Sequence, residues 1–202
     1  KVKKPLYWVF SELNGSKDTV KILSDLNKCY PFAETEIEKN VQKALGIENE
    51  KLIAKATKAI ESGDAKQVGS LMVEAQNMFD SMVAPASPKE LAAPQLHKVL
   101  NDENIKKYTY GAKGVGSQGD GSVQFLAKDE QSQVDLIKYI KDEYGMEGFR
   151  LTLKPEKNIL RITRFVLLVT GISFISYGAA RGEAAVVLGK AIKLCLECVG
   201  IG

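Results

Sequence analysis

The 202 residues predict an α+β chain: a small antiparallel sheet with helices on one of its faces, followed by an apolar C-terminal helix. Three observations carry that prediction. Leu6-Tyr-Trp-Val-Phe10 is a dense aromatic and β-branched run, and shorter runs of strand type recur at 107–110, 122–127 and 148–153. From Lys17 to Leu100 the chain keeps helical spacing, punctuated by glycine and proline. Between residues 165 and 180 it carries no charge at all.

Composition narrows the function classes. With 28 Lys and Arg against 25 Asp and Glu, the formal net charge is +3. The excess is spread out, with no basic stripe interleaved with aromatics, which argues against a nucleic-acid partner. The length suffices for one good core and a small appendage. Three cysteines, two of them at the C-terminal end, give no disulfide framework, and Cys29 alone in the body fits a cytosolic domain. The chain opens at Lys1 directly before a strand, so a piece of a longer protein is expected.

Taken in order, the first strand ends at the turn signal Asn14-Gly15. Ser16 or Asp18 caps a helix in which Val20, Leu23 and Leu26 recur at helical spacing until Pro31. Helices are expected over 34–45 and 49–60, stopped by Gly46 and Gly63. Asp64 caps a long fourth helix lined by Val68, Leu71, Met72, Ala75, Met78, Phe79 and Met82, a core stripe rather than a cofactor box. A short helix over 93–100 carries His97, the single histidine, which has no Ser, Cys or Asp partner nearby in sequence and reads as structural. After the second and third strands, Asp129 caps a helix through Tyr144 with Val134, Ile137 and Ile140 inward, and Gly148–Leu153 is the last strand.

Between the second and third strands lies Tyr-Gly-Ala-Lys-Gly-Val-Gly-Ser-Gln-Gly-Asp-Gly-Ser-Val-Gln-Phe, residues 110–125. Glycine is used where φ is positive or another group approaches the backbone, and successive amides in such a turn form an anion-binding nest. Lys113 supplies a cation at its mouth. No Walker-type loop and no dinucleotide fingerprint is present.

Ala112-Lys113, Gly116 and Gly121-Ser-Val resemble the third conserved motif of the GHMP small-molecule kinases, the superfamily of galactokinase, homoserine kinase and mevalonate kinase. Upstream, Leu71-Met-Val-Glu-Ala-Gln76 and Ser87-Pro-Lys-Glu-Leu91 are similar to the segment those kinases carry before the motif, in wording closest to the sugar-kinase branch. Gln118 stands where the family usually has glycine, and Asp120 replaces the first glycine of the closing pair. The resemblance covers most of residues 1–155. It implies a ferredoxin-like C-terminal domain with extra helices, from an enzyme that uses ATP and Mg2+ to phosphorylate a small molecule, a sugar. It also implies a loop over 111–121 that closes the active-site cleft and holds substrate or phosphate through Lys113, Gly114, Gly116, Ser117, Gln118, Gly119, Asp120 and Gly121. The family's nucleotide loop, Pro-x-x-x-Gly-Leu-Gly-Ser-Ser, and its catalytic aspartate belong to an N-terminal half that nothing here matches. No catalytic residue is assigned, and the fragment alone is expected to be inactive. Glu74, Gln76 and Asn77 are further cleft candidates, with a solvated helix face as the plainer reading.

The composition breaks at 155–158, dividing the chain into a body (1–155), a linker with a hydrophobic helix (156–180) and an amphipathic tail (181–202). Sixteen uncharged residues as helix span about 24 Å against a bilayer core of about 30 Å, and Arg161, Arg164 and Arg181 can snorkel at the edges. A membrane helix is expected, with the body in the cytoplasm and the tail in the cytoplasmic membrane. A second helical pattern over 184–196 leads to Cys195-Leu-Glu-Cys198, a candidate redox pair, and no metal is assigned because zinc needs two further ligands. This tail resembles short bacterial membrane proteins with one hydrophobic helix and a terminal Cys-x-x-Cys. Two other readings stand beside the kinase: a membrane-tethered thiol module whose globular part binds a partner, and a junction near Asn158 between two unrelated genes.

Overall fold

The computed structural model describes residues 2–155, 158–182 and 186–191. The chain divides into two compact units, Lys1–Pro155 and Glu156–Gly202. In the first, strands β1 (Leu6–Glu12), β2 (Thr109–Gly114), β3 (Ser122–Ala127) and β4 (Gly148–Leu153) form an antiparallel sheet in the order β2-β3-β1-β4. That is a ferredoxin-like arrangement, with the helices inserted between β1 and β2 and between β3 and β4. The most apolar strand, β1, lies at the centre. Trp8 stands opposite Leu126 and Leu151, and Val9 stands opposite Phe125 and Arg150.

Helices cover both faces of this sheet, not one. Leu6, Trp8 and Leu126 pack against Leu52 and Ala59 of α3 (Asn49–Ser62) and Val68, Leu71 and Met72 of α4 (Ala65–Met78). On the opposite face Val9, Val123 and Phe125 meet Leu96 and Val99 of α5 (Pro94–Leu100), Ile105 of α6 (Glu103–Tyr108), and Leu136 and Ile140 of α7 (Glu130–Tyr144). The reason is in β1 itself: its apolar residues occupy odd and even positions, so each face has to be covered. Three α-helices, α5, α6 and α7, lie on one side, and α3 and α4 on the other.

Where propensity and local caps decide, the expected elements form. Asp18 caps α1 (Thr19–Asn27), Asp64 caps α4 and Asp129 caps α7, each accepting from the backbone amide three residues on. Thr35 and Glu38 complete a capping box on α2 (Glu36–Lys43), and Gly63 ends α3 in the left-handed conformation.

Two inward faces are corrected. In α1 the buried residues are Ile22 and Asp25, while Val20 and Leu23 are exposed. In α7 Ile140 is buried and Ile137 packs against the same core, as expected, together with Gln133 and Leu136, while Val134 is exposed. A polar anchor rotates each helix away from its most hydrophobic setting. Asp25 accepts from Lys28 Nζ at 2.8 Å, from Ser87 Oγ at 3.0 Å, and from Lys21. Gln133 donates to the Trp8 carbonyl at 2.7 Å.

The second strand is also shifted. Residues 103–108 are helical, and β2 begins at Thr109 and runs through Gly111 to Gly114. Asp102 starts that helix by accepting from Asn104 N, and its other oxygen accepts the hydroxyls of Tyr139 and Tyr144 at 2.8 and 2.7 Å. Glycine is tolerated in β2 because α4 lies directly on its backbone. A Cβ at Gly111 would stand 2.1 Å from the Gly69 carbonyl oxygen, and one at Gly69 would meet the Tyr110 backbone at 2.5 Å.

In the second unit, α8 (Asn158–Ala180) is 23 residues long and includes an apolar span, Thr163–Ala180, of mean hydropathy 1.4. As a helix it reaches about 34 Å, longer than its uncharged part alone. Thr170 and Ser173 turn their hydroxyls onto the carbonyls of Val166 and Val169 at 2.8 and 2.9 Å, leaving those groups satisfied without water. Residues 186–191 are helical again, while Cys195 and Cys198 lie outside the described residues.

Candidate functional site: the glycine turn and the cleft beside it

The glycine-rich stretch is the connection between β2 and β3, and its residues separate into three groups. Gly116 and Ser117 form the outer end. Gly116 is exposed with φ +63°, and a Cβ there would touch nothing. Among the described residues, the amides of Gly116 and Ser117 make no hydrogen bond, whereas Val115 N donates to Ser122 O and Gln118 N to Val115 O. These two adjacent amides stand at the exposed end of the turn, where an anion can reach them.

The second group turns inward. Gln118, at φ +61°, is 5% exposed, and its side chain folds back over Gly114, where a Cβ would stand 1.9 Å from Gln118 Oε1. Gly119 is buried beneath the Glu90 carbonyl and the Lys17 side chain. Asp120 Oδ1 accepts from Leu96 N in α5 at 2.9 Å, and Gly121 O accepts from Leu13 N at 2.9 Å. Asp120 therefore fastens the turn to α5.

Lys113 forms the third group. It sits half-buried near the end of β2, donating to the Gly114 carbonyl at 2.8 Å, and burial holds its ammonium below the ordinary lysine range. A second cation, Lys17, which the sequence gives no signal for, donates to the Gln118 carbonyl at 2.7 Å. Its side chain lies against Gly121, where a Cβ would come within 2.5 Å of it. Desolvation lowers its pKa as well. The turn is thus braced from below by one lysine and flanked by another.

Beside β2, a cleft of about 400 Å³ opens among α4, α5 and α6. Gln76 and Asn77 line it, whereas Glu74 faces solvent opposite Lys55 at 3.8 Å. Gln76 is buried with both ends of its amide in use: Oε1 accepts from Gly114 N at 2.8 Å and Nε2 donates to Asp80 Oδ1 at 2.8 Å. His97 Nε2 stands 3.8 Å from the same Asp80 oxygen. Asp80, in the turn that follows α4, thus stands beside His97, and hydrogen bonds run from Asp80 through Gln76 to the start of the glycine turn.

Comparison of this fold with solved structures gives matches that include three with TM-scores above 0.5. A mevalonate kinase from L. major, in complex with R-mevalonate, aligns over 77% of this chain and 44% of its own, at 17% identity and a TM-score of 0.54. The phosphomevalonate kinase of Streptococcus pneumoniae aligns over 76% and 42%, at 13% identity and 0.55. The body has a GHMP kinase fold. The Lin0012 protein of Listeria innocua has the highest score of the three, 0.58, over 73% of this chain and 39% of its own, at 16% identity. This chain therefore spans less than half the length of each of these three proteins. No protein-family model and no curated protein matches the sequence.

Proposed function

We propose that residues 1–155 are the C-terminal part of an ATP- and Mg2+-dependent GHMP-type kinase that phosphorylates a hydroxyl of a small molecule, a sugar. In this reading the glycine turn closes the active-site cleft against an N-terminal nucleotide-binding half. The observation that carries it is the outer end of the turn: two unpaired amides at Gly116 and Ser117, held by a turn whose inner residues are fastened to α5 and Lys17. Phosphoryl transfer asks a protein mainly to position groups and to neutralise developing charge, and a braced amide cradle suits that task. Lys113, kept desolvated, adds positive charge nearby. The sugar assignment rests on the wording of the motif and of the segments upstream of it, while two of the solved structures with this fold are a mevalonate kinase and a phosphomevalonate kinase.

The test has two arms. The chain alone should bind Mg-ATP no tighter than millimolar by calorimetry, because its described residues offer no second phosphate cradle; low-micromolar affinity would contradict the proposal. Joined to its native upstream half, the assembled enzyme transfers phosphate to a sugar, and parallel assays with hydroxy acids decide the acceptor class. An upstream coding sequence without the Gly-Leu-Gly-Ser-Ser pattern would remove the kinase reading altogether.

The second unit belongs to the same proposal as a membrane tether, supported by the length of α8 and by its internally satisfied Thr170 and Ser173. Tyr177 and Arg181, whose guanidinium lies 5.7 Å from the ring centroid, form the aromatic and cationic end such a helix uses at a membrane surface. The body would then stay in the cytoplasm, with Cys195 and Cys198 as a thiol pair beyond the tether.

A further inference from the structure

The cleft beside β2 has a chemistry of its own. Asn77 and Asp80 approach it from the end of α4, and His97 and Asn101 from α5 and its C-terminal cap. Asp80 lies in a π-helical turn, Phe79–Val83, that widens the chain directly after α4, and wide turns of this kind redirect side chains. Among the described residues, the side chains of Asn77 and Asn101 and the Oδ2 oxygen of Asp80 have no hydrogen-bond partner. The lysine on the wall, Lys106, is held by Glu103 at 2.8 Å. The cleft therefore offers a carboxylate and two carboxamides without a free lysine or arginine. A phosphate or carboxylate would face the Asp80 carboxylate with only the His97 imidazole, 3.8 Å from it, and the ion-paired Lys106 to offset it, whereas vicinal hydroxyls would find acceptors and donors at once. Val73 and Leu100 give an apolar wall for the C–H face of such a molecule.

We infer that this cleft binds a neutral polyhydroxylated small molecule through Asn77, Asp80 and Asn101, and that Gln76 carries its occupancy to the glycine turn. A hydroxyl that donates to Asp80 changes the acceptor that Gln76 Nε2 meets, and the other end of the same amide holds Gly114 N, where the turn begins. The binding part goes beyond the kinase reading and needs no nucleotide; only its effect on turnover would rest on that reading.

The experiment uses the full chain in lipid nanodiscs, with hydrogen exchange read by mass spectrometry in the absence of nucleotide. myo-Inositol and glucose serve as neutral probes and glucose 1-phosphate as the anionic one. Millimolar neutral probe should slow exchange in peptides covering 76–101 and 109–118, and glucose 1-phosphate should not. Asp80→Ala should weaken the response about tenfold, the usual loss for one good hydrogen-bonded pair. Asn101→Ala, on the exposed cap of α5, repeats the test should the first variant fail to fold. Gln76→Ala should keep the protection over 76–101 and lose it over 109–118. The site is overturned if neither neutral probe protects the wild-type chain, if the phosphate ester protects equally well, or if the folded Asp80 and Asn101 variants respond unchanged. The relay is overturned if Gln76→Ala leaves the turn protected.

Discussion

Gly111 and Gly116 are five residues apart and do unrelated work. Gly111 lets α4 rest on the β2 backbone, with the Gly69 carbonyl where a side chain would go, while Gly116 supplies a positive φ at an open tip. Gly111→Ala is therefore expected to cost about 3 kcal/mol, since both colliding groups are backbone and neither can yield. Gly116→Ala should cost only about 1 kcal/mol, the penalty of an L-residue in the left-handed region. Urea unfolding of both variants checks the order. Lys113→Met makes the opposite kind of prediction. Burial disfavours its ammonium in the folded chain, so the variant should lose no stability at neutral pH, its lost hydrogen bond to the Gly114 carbonyl being offset by the removed charge, while slowing phosphate transfer in the assembled enzyme. The glycines and Lys113 were legible as a candidate loop in the sequence. Their division of labour was not, because it is set by Gly69, Lys17 and Leu96, which are distant in the chain.

Among the elements, those specified by local chemistry could be read directly: the Asp caps of α1, α4 and α7, the glycine stop of α3, and the run of β1. The buried face of α1 and the outward turn of Val134 in α7 could not, because Asp25 and Gln133 take inward positions through long-range hydrogen bonds that the hydrophobic pattern does not show. The α6 helix escaped notice because it is one and a half turns long and its support, the hydroxyls of Tyr139 and Tyr144 on Asp102, comes from α7. Asp25 gives a test at this scale. Lys21 first, then Lys28 and Ser87, hold its carboxyl well below the usual range, against an upward push from burial. A depressed folded pKa stabilises above the unfolded value, near about pH 4, and that contribution is lost as the pH falls below it. Wild-type stability should thus drop between about pH 4 and pH 2, whereas Asp25→Asn should be weaker at pH 7 and flatter across that window. Urea midpoints at several pH values show which holds.

At the scale of the whole molecule, the composition changes at 155–158, and the structure has two compact units, Lys1–Pro155 and Glu156–Gly202. The double-sided covering of the sheet was harder to see. It follows from the absence of alternation in β1, which a reading for one buried face passes over. The tether makes the prediction here: alkaline carbonate extraction should leave the full chain with the membranes and release a chain ending at Pro155. Lys154, Lys157, Arg161 and Arg164 precede the uncharged residues 165–180 and Arg181, Lys190 and Lys193 follow them, so the positive charge is only modestly heavier on the body's side. An impermeant thiol reagent on intact cells should therefore label the cysteine pair only if the body faces the cytoplasm.

The bonds that fasten the turn also limit how it can change. Its inner hydrogen bonds come from Leu96, 24 positions upstream of Asp120, and from Lys17, 101 positions upstream of Gln118. A segment whose supports are so scattered is not an interchangeable cassette. Transplanting residues 111–121 into another scaffold, or replacing them with a relative's loop, would carry across the sequence but leave its scaffolding behind. Variation that reshapes this turn has to arise in step with changes near Lys17 and at the start of α5, which makes the turn a slow-moving part of the chain, however exposed its tip.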